Sequence, residues 1–363
     1  MPRTLSHLRA QALQASLITP TTLGRAIATM GFVQADPIRS PARAQDLILR
    51  HRVKDYRIGD LDRRFVRLGL EEDILYAYGF MPPATLRLLQ PRHDVTRPNG
   101  RHEPIGLAAD VLAFVRDRGS VHPRDLEQQF GRERAINCWG RFSQATTRAL
   151  HDLHYYGLLR VVRRRDGIRI YGIADHPDPL PPDERMLGLV RLVTRILCPI
   201  SETSLRATFS LLRRGAPDLK RLDAVVQQLV KAGELERTEI DGEVYLWPAE
   251  RRNRKSSNVS PTVRFLAPFD PLVWDRRRFE HFWDWSYRFE GYTPPGRRER
   301  GYYAMPMLWH DNVVGWINLA VTAGRLEFNV GYAGSFRPGR HFRQGFDAEL
   351  ARMKAFLLHL EDS

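Results

Sequence analysis

The chain has 363 residues, 43% of them hydrophobic, and 56 Lys and Arg against 42 Asp and Glu give a formal net charge of +14. At roughly 100–200 residues per domain this predicts about two to four domains with cores of their own and excludes disorder as the main state. Cys138 and Cys198 have no Cys or His at metal-ligand spacing, which excludes a disulfide framework and a structural zinc, so no metal or cofactor is expected and a reducing, cytoplasmic setting fits.

From the N-terminus, the first 35 residues hold Arg3, Arg9 and Arg25 and no acid. Without an apolar secretory core they read as an ordinary first helix. Ile18-Thr-Pro-Thr-Thr-Leu23 has the form of a helix opening, a polar cap ahead of an amphipathic run. Next comes Gly31-Phe-Val-Gln34-Ala-Asp36-Pro37, followed by a helical pattern from Ala42 to Arg52. In an extended segment residues two apart share a face, so Gln34 and Asp36 project together. Taken alone, the pair also fits a plain turn in which Asp36-Pro37 caps the next helix. Asp46 and Arg50 are expected to form an i,i+4 ion pair.

A Pro-rich joint from Pro91 to Pro104 precedes a pattern that occurs twice. Leu153-His-Tyr-Tyr-Gly157 runs into a strand, the Asp166-Gly167 turn and Ile168-Arg-Ile-Tyr171; Leu229-Val-Lys-Ala-Gly233 runs into a strand, Asp241-Gly242 and Val244-Tyr-Leu-Trp247. Each copy reads as a helix stopped at Gly and then a tight hairpin, the recognition helix and wing of a winged-helix unit. Upstream, Ser120-Val-His-Pro-Arg-Asp-Leu126 and Ile200-Ser-Glu-Thr-Ser-Leu205 open the middle helix of each copy. Leu187 to Ile200, the longest apolar stretch, is broken by Arg191 and Arg195 and falls short of the about 18 uncharged residues that cross a bilayer, so no membrane partner is expected. After a second Pro-rich joint at 175–182 and a basic linker from Arg251 to Ser260, the segments Gly301–Leu308, Asn312–Val321 and Arg325–Val330 read as strands, and Phe346–Leu360 as a closing helix. The predicted architecture is α+β: three tandem winged-helix units at 1–98, 99–178 and 179–250, then a C-terminal antiparallel β domain with a terminal helix at 259–363.

Charge of this size makes nucleic acid the partner to test first, and its distribution is patchy, with clusters at Arg163–Arg165, Arg251–Lys255, Arg276–Arg278 and Arg297–Arg300. The second wing, with Arg163, Arg164, Arg165 and Arg169, suits phosphate. The third, with Glu234, Glu236, Glu239, Asp241 and Glu243, reads as a spacer or scaffold unless a helix face from Arg213 to Arg221 compensates. Gly291–Arg300 is expected to be a mobile basic loop open to phosphate. His151 and His154, three apart on the second recognition helix, lack a third metal ligand and are expected to face DNA or solvent. Trp274, Trp283 and Trp285 are read as core residues.

Several segments together resemble the YcaQ/AlkZ group of winged-helix DNA glycosylases, which remove alkylated bases and unhook interstrand crosslinks. They are Phe32-Val-Gln34-Ala-Asp36 with Arg43-Ala44, Leu47 and Arg52-Val53 downstream; Phe265-Leu-Ala-Pro-Phe-Asp270-Pro-Leu-Val-Trp274-Asp275-Arg276; Tyr287-Arg288-Phe-Glu290; and Gly301-Tyr-Tyr-Ala-Met-Pro306. The resemblance covers nearly the whole chain and implies the same architecture. It also implies that Gln34 and Asp36 are the catalytic pair of the family's Gln-x-Asp subtype. Members commonly carry paired histidines where this chain has Gln45-Asp46, a histidine near Tyr76 and Tyr78, and an Asp- and Lys-containing strand where it reads Gly315-Trp-Ile-Asn-Leu-Ala.

On that resemblance the chain is a monofunctional DNA glycosylase for N7-alkylguanine-type purines, bulky or crosslinked adducts included. The first 53 residues contain no Lys, which disfavours Schiff-base chemistry. Arg39 and Arg43 beside the motif, Arg163, Arg164 and Arg165 on the wing, and Arg297 and Arg298 in the loop are the expected DNA contacts. Partner and place are expected to be damaged duplex DNA and the nucleoid. Three unlike units argue for a monomeric platform. A winged-helix transcriptional regulator, in which Gln34 and Asp36 are structural, and a protein-interaction scaffold are the alternatives.

Overall fold

The computed structural model describes residues 4–94, 100–136, 142–175, 178–249 and 262–358. Cys138, the linker from Arg251 to Ser260 and the end of the closing helix at Leu360 lie outside the described residues. The chain folds as two compact units, one comprising Met1–Leu61, Val190–Ala207 and Asp223–Ser363, the other Asp62–Leu189 and Thr208–Leu222.

The chain begins with α1 (Leu5–Ser16), α2 (Leu23–Met30), β1 (Val33–Gln34), α3 (Ala44–Leu49), α4 (Asp60–Arg64), the hairpin of β2 (Glu71–Ile74) and β3 (Tyr78–Met81), and α5 (Pro83–Leu89). It continues through α6 (Leu107–Arg118), β4 (Ser120–Val121), α7 (Pro123–Phe130), β5 (Arg134–Ile136), β6 (Phe142–Gln144), α8 (Ala145–Tyr155), β7 (Leu159–Arg165) and β8 (Ile168–Ile173). The element order returns in α9 (Pro182–Ile196), β9 (Ile200–Ser201), α10 (Glu202–Leu212), α11 (Leu222–Lys231), β10 (Leu235–Ile240) and β11 (Glu243–Pro248). Both copies close the same way, the short first strand pairing with the last, in the orders β4-β8-β7 and β9-β11-β10. The first copy carries in addition the β5–β6 hairpin.

Local chemistry accounts for this repeat. His122 caps α7 through a capping box with Asp125, with Pro123 in the first turn, where a missing N–H costs nothing. In the second copy Ser201 Oγ accepts the Ser204 N–H at 3.1 Å. Both hairpins turn on Asp-Gly with both residues at positive φ, 52° and 77° at Asp166-Gly167 and 52° and 78° at Asp241-Gly242. That is the two-residue turn whose twist matches the strands it joins. The stretch from Arg213 to Arg221, expected to present a helix face, is instead the connection between α10 and α11; Arg213 Nε donates to the Leu219 carbonyl at 3.0 Å.

The C-terminal part adds β12 (Val263–Phe265), α12 (Pro271–Trp274), α13 (Arg276–Trp283), β13 (Met305–Trp309), β14 (Asn312–Thr322), β15 (Arg325–Tyr332) and α14 (Arg340–Leu358), with the strands in a four-stranded antiparallel sheet in chain order. The edge strand β12 was not anticipated, and β13 begins at Met305 rather than Gly301. The first unit's core joins Leu8, Ala12 and Leu13 of α1 to Leu272, Val273, Phe279, Phe282 and Trp283, and to Tyr245 and Trp247 of β11. Burying each such large side chain stabilises by roughly 1.5–3 kcal/mol relative to leaving it exposed. Trp283 therefore is a core residue, its Nε1–H donating to the Asp311 carbonyl at 2.8 Å.

One ion pair ties this unit together. Arg52 and Asp270 side chains are both 0% exposed and meet through two hydrogen bonds, Nη1 to Oδ2 at 2.8 Å and Nη2 to Oδ1 at 2.9 Å. The other Arg52 donors reach Ser16 O, Ser16 Oγ and Ile48 O, which uses all five N–H bonds of the guanidinium. Asp270 also caps α12 by accepting the Leu272 N–H. The expected Asp46–Arg50 pair does not form. Arg50 reaches Glu349 at 2.7 Å instead, while buried Asp46 accepts from the Tyr56 hydroxyl and the Gly59 N–H.

In the second unit the acidic strand β2 meets the wing. The Glu72 carboxylate takes Arg164 Nη2 at 2.5 Å and the Tyr78 hydroxyl at 2.7 Å, and Asp73 takes Arg92 at 3.0 Å. His154 is buried and lies 2.9 Å from the Glu72 carbonyl oxygen, so it faces neither DNA nor solvent, whereas His151 is exposed. Among the described residues no helix is long and apolar enough to cross a membrane.

Candidate active site

The Gln-x-Asp motif lies where β1 gives way to a loop ahead of α3. Gln34 and Asp36 are both half-buried. Asp36 Oδ1 accepts the Ile38 N–H at 2.8 Å, and its own N–H donates to Gln45 Oε1 at 3.3 Å. Asp36-Pro37 does form the turn its sequence suggests. It does not cap α3, which starts behind Arg43. One carboxylate oxygen is thus engaged in holding the loop. Gln45 supports the backbone at the motif.

Burial raises the Asp36 pKa above its ordinary value, against the Ile38 N–H, which lowers it. Gln34 Oε1 is buried without a hydrogen-bond partner. A buried acceptor left open costs about 1–3 kcal/mol, so a donor such as a bound water or a substrate group would relieve it.

Beside this loop opens a cleft of about 640 Å³, lined among others by Ser40, Arg298, Arg300, Tyr303, Trp316 and Asn318. Its rim is the segment expected to be a mobile loop, and the structure corrects that expectation. Buried Glu290 accepts the backbone N–H groups of Glu299, Arg300 and Gly301 at 3.0, 2.8 and 3.0 Å. Burial would raise its pKa, but these three donors hold it below the usual carboxylate range. Arg298 Nε donates to the Thr293 carbonyl at 2.8 Å and its guanidinium covers the Tyr302 ring at 5.0 Å, while Arg300 covers Trp285 at 5.0 Å. Asn318 accepts the Tyr303 N–H at 3.2 Å and donates to the Arg300 carbonyl.

Tyr303 itself is 2% exposed, and its hydroxyl has no hydrogen-bond partner. Burial pushes its pKa well above the ordinary value, and the nearby Asp36 carboxylate raises it further. No reading of the sequence singled this residue out beyond its place in the Gly301–Pro306 segment, where a buried tyrosine looks like any core aromatic.

The expected DNA contacts divide. Arg39 and Arg297 are exposed, Arg43 is half-buried, and Arg163 and Arg165 project from the wing. Arg164 does not: it is 9% exposed and held by Glu72. Nor is Arg276–Arg278 an open patch. Arg278 is buried against the carbonyls of Leu197 and Pro271, and Arg276 lies over the Tyr287 ring at 4.4 Å. Two acids of the third wing are engaged by partners, Glu234 by Arg191 at 2.7 Å and Asp241 by His281 at 3.2 Å.

Comparison with known proteins places this geometry in context. The family described as DNA glycosylase AlkZ-like matches residues 27–356. Among solved structures the chain is similar to the Streptomyces sahachiroi DNA glycosylase AlkZ, at 14% identity and a TM-score of 0.63, over 99% of this chain and 98% of that one. At that identity the likeness shows a shared fold.

Proposed function

Because the chain belongs to the AlkZ-like family of DNA glycosylases, we propose that it is a monofunctional enzyme hydrolysing the N-glycosidic bond of N7-alkylguanine-type purines in duplex DNA, bulky or crosslinked adducts included. The observation that carries this reading is Asp36: a partly buried carboxylate with one oxygen anchored by Ile38, on the loop whose Ser40 lines an arginine- and tyrosine-lined cleft. An N7-alkylated guanine is cationic and leaves as a neutral base, so no strong general acid is needed. What needs help is the deoxyribose, which develops oxocarbenium character as the bond breaks. A carboxylate in a partly water-excluded site stabilises that charge, and as general base it takes a proton from the attacking water. Gln34, whose carbonyl oxygen lacks a donor, orients that water.

The proposed organisation is three winged-helix units at 1–98, 99–178 and 179–250 and a β domain at 259–363, acting as a monomer on DNA. The repeated element order and strand pairing support its second and third units. Phosphate contacts are assigned to Arg39, Arg43, Arg163, Arg165 and Arg297, with Arg298 and Arg164 holding structure in their neighbourhood.

Purified protein incubated with duplex DNA carrying N7-methylguanine should release free base and leave abasic sites. Sequence-selective retention without release would instead identify a regulator. Since Asp36 must be ionised and burial raises its pKa, single-turnover excision should fall on the acid side with a midpoint above the ordinary Asp value of about 3.9, after subtraction of spontaneous depurination. A limb at or below that value contradicts the assignment. Reversing Arg163 and Arg165 to Glu should weaken binding to all sequences alike and reduce the slope of log K against log salt by about 2, because phosphate contacts carry no base information. Loss confined to one sequence would show that these side chains read bases.

A further inference from the structure

We propose that Tyr303 is a positioning residue for Asp36, its hydroxyl donating to the free carboxylate oxygen once the reacting nucleotide occupies the site; this rests on the reading of Asp36 as the reacting carboxylate.

The tyrosine is fixed at every point except its oxygen. Its ring stands edge-on to Phe289 at 5.5 Å and to Phe269 at 6.5 Å, and its backbone N–H is held by Asn318. It lines the cleft together with Ser40, which follows Asp36 by four residues on the same loop. Yet the hydroxyl, buried in this cage, bonds to nothing. A buried phenol is normally satisfied, and an exception in a well-packed setting calls for a partner that arrives later. The Asp36 carboxylate, on the loop that brings Ser40 to the cleft, acts electrostatically on that phenol, as do Arg276, Tyr287 and Tyr302; Arg298, Glu299, Arg300 and Glu327 line the same cleft. Arg276 is already engaged by the carbonyls of Val273 and Pro268, and the Tyr287 hydroxyl by the Ala304 carbonyl. Tyr302 is 38% exposed and lies under Arg298. Asp36, whose Oδ1 is taken by Ile38, has its second oxygen to offer.

A phenol donating to a carboxylate favours the ionised form and fixes its orientation toward the sugar. Tyr303→Phe keeps both ring contacts and removes only the donor. It should move the acid limb of the kcat profile upward by about one pH unit, a tenfold loss of rate on the acid side, with the melting temperature and DNA affinity preserved. Tyr302→Phe should leave the limb in place. A lowered plateau with an unmoved limb would mean that Tyr303 only packs the cleft and would overturn the proposal.

A second readout does not depend on turnover: NMR titration of the 13C-labelled Asp36 carboxyl in complex with a duplex containing a tetrahydrofuran abasic site. If Tyr303→Phe leaves that titration unchanged, the contact does not exist, whatever Asp36 does. If the titration moves but Asp36→Asn excises as wild type, the contact stands and the catalytic reading fails instead.

Discussion

Substituting Asn for Asp36 is expected to cut base excision by about 10²–10³-fold while leaving affinity for duplex DNA unchanged. Asn keeps the size of the side chain and the oxygen that accepts the Ile38 N–H, so the loop retains its turn. What disappears is the charge that, on the proposed mechanism, stabilises the developing oxocarbenium ion and accepts the proton of the attacking water. A loss of that size corresponds to roughly 2.7–4 kcal/mol of transition-state stabilisation. On the proposed assignment, binding rests on phosphate contacts made elsewhere, and removing an anion does not weaken them. The stability of the variant gives a separate check. Burial penalises the Asp36 carboxylate, so the neutral amide should melt at the wild-type temperature or slightly higher, as expected of a charge retained for function rather than folding. Excision within tenfold of wild type would remove Asp36 from the chemistry. Gel shift, thermal melting and single-turnover release on one preparation separate these outcomes.

What the sequence made legible is what is encoded locally. The Asp-Gly hairpins, the Gly stops, the Ser120–Leu126 and Ile200–Leu205 openings and the long strands of the C-terminal sheet each carry their signal within a few residues, and each has its counterpart in the structure. Pairings between distant residues were not legible. Arg163, Arg164 and Arg165 look alike in sequence, and only the fold brings Glu72 against the middle one, which alternation along β7 turns inward. Asp46 and Arg50 sit at ideal helical spacing, but α3 ends at Leu49, and Tyr56, Gly59 and Glu349 offer each of them a buried partner. A short helix constrains i,i+4 neighbours weakly, so tertiary partners win.

The same contrast runs through the candidate site. Gln-x-Asp on its own fits a turn as well as a catalytic pair, and it was resemblance across the chain that gave it meaning. The structure adds the local setting: Ile38 and Gln45 around Asp36, Glu290 pinning the basic segment, and Asn318 bridging it to the sheet. Gln45, Asp46 and Asn318 each make hydrogen bonds that hold the site or its supporting helix.

Breaking the Arg52–Asp270 pair from one side is expected to cost about 3–5 kcal/mol, the largest stability loss among these substitutions. Both side chains are 0% exposed, so Asp270→Ala leaves a guanidinium buried without its counterion, and Arg52→Met leaves a carboxylate in the same position. For a domain of about 150–250 residues, where 1 kcal/mol shifts the melting temperature by roughly 2–4 °C, the drop should be about 6–20 °C. Replacing both, as Arg52→Met with Asp270→Leu, removes the stranded charge and should recover most of the loss. Recovery should stop about 1 kcal/mol short, because Asp270 also caps α12 at the Leu272 N–H and Arg52 satisfies the Ser16 and Ile48 carbonyls. Single variants that melt within about 2 °C of wild type would show that the pair contributes no net stability. A double variant as unstable as the worse single would show that the backbone carbonyls around Arg52, rather than the ionic contact, carry the energy. Either result is read from thermal unfolding of the three variants beside wild type. The ion pair joins the Arg52-Val53 and Phe265–Arg276 segments, more than 200 residues apart in sequence (|i−j| = 218), so the measurement tests whether the motif shared with the family serves folding first and chemistry only through it.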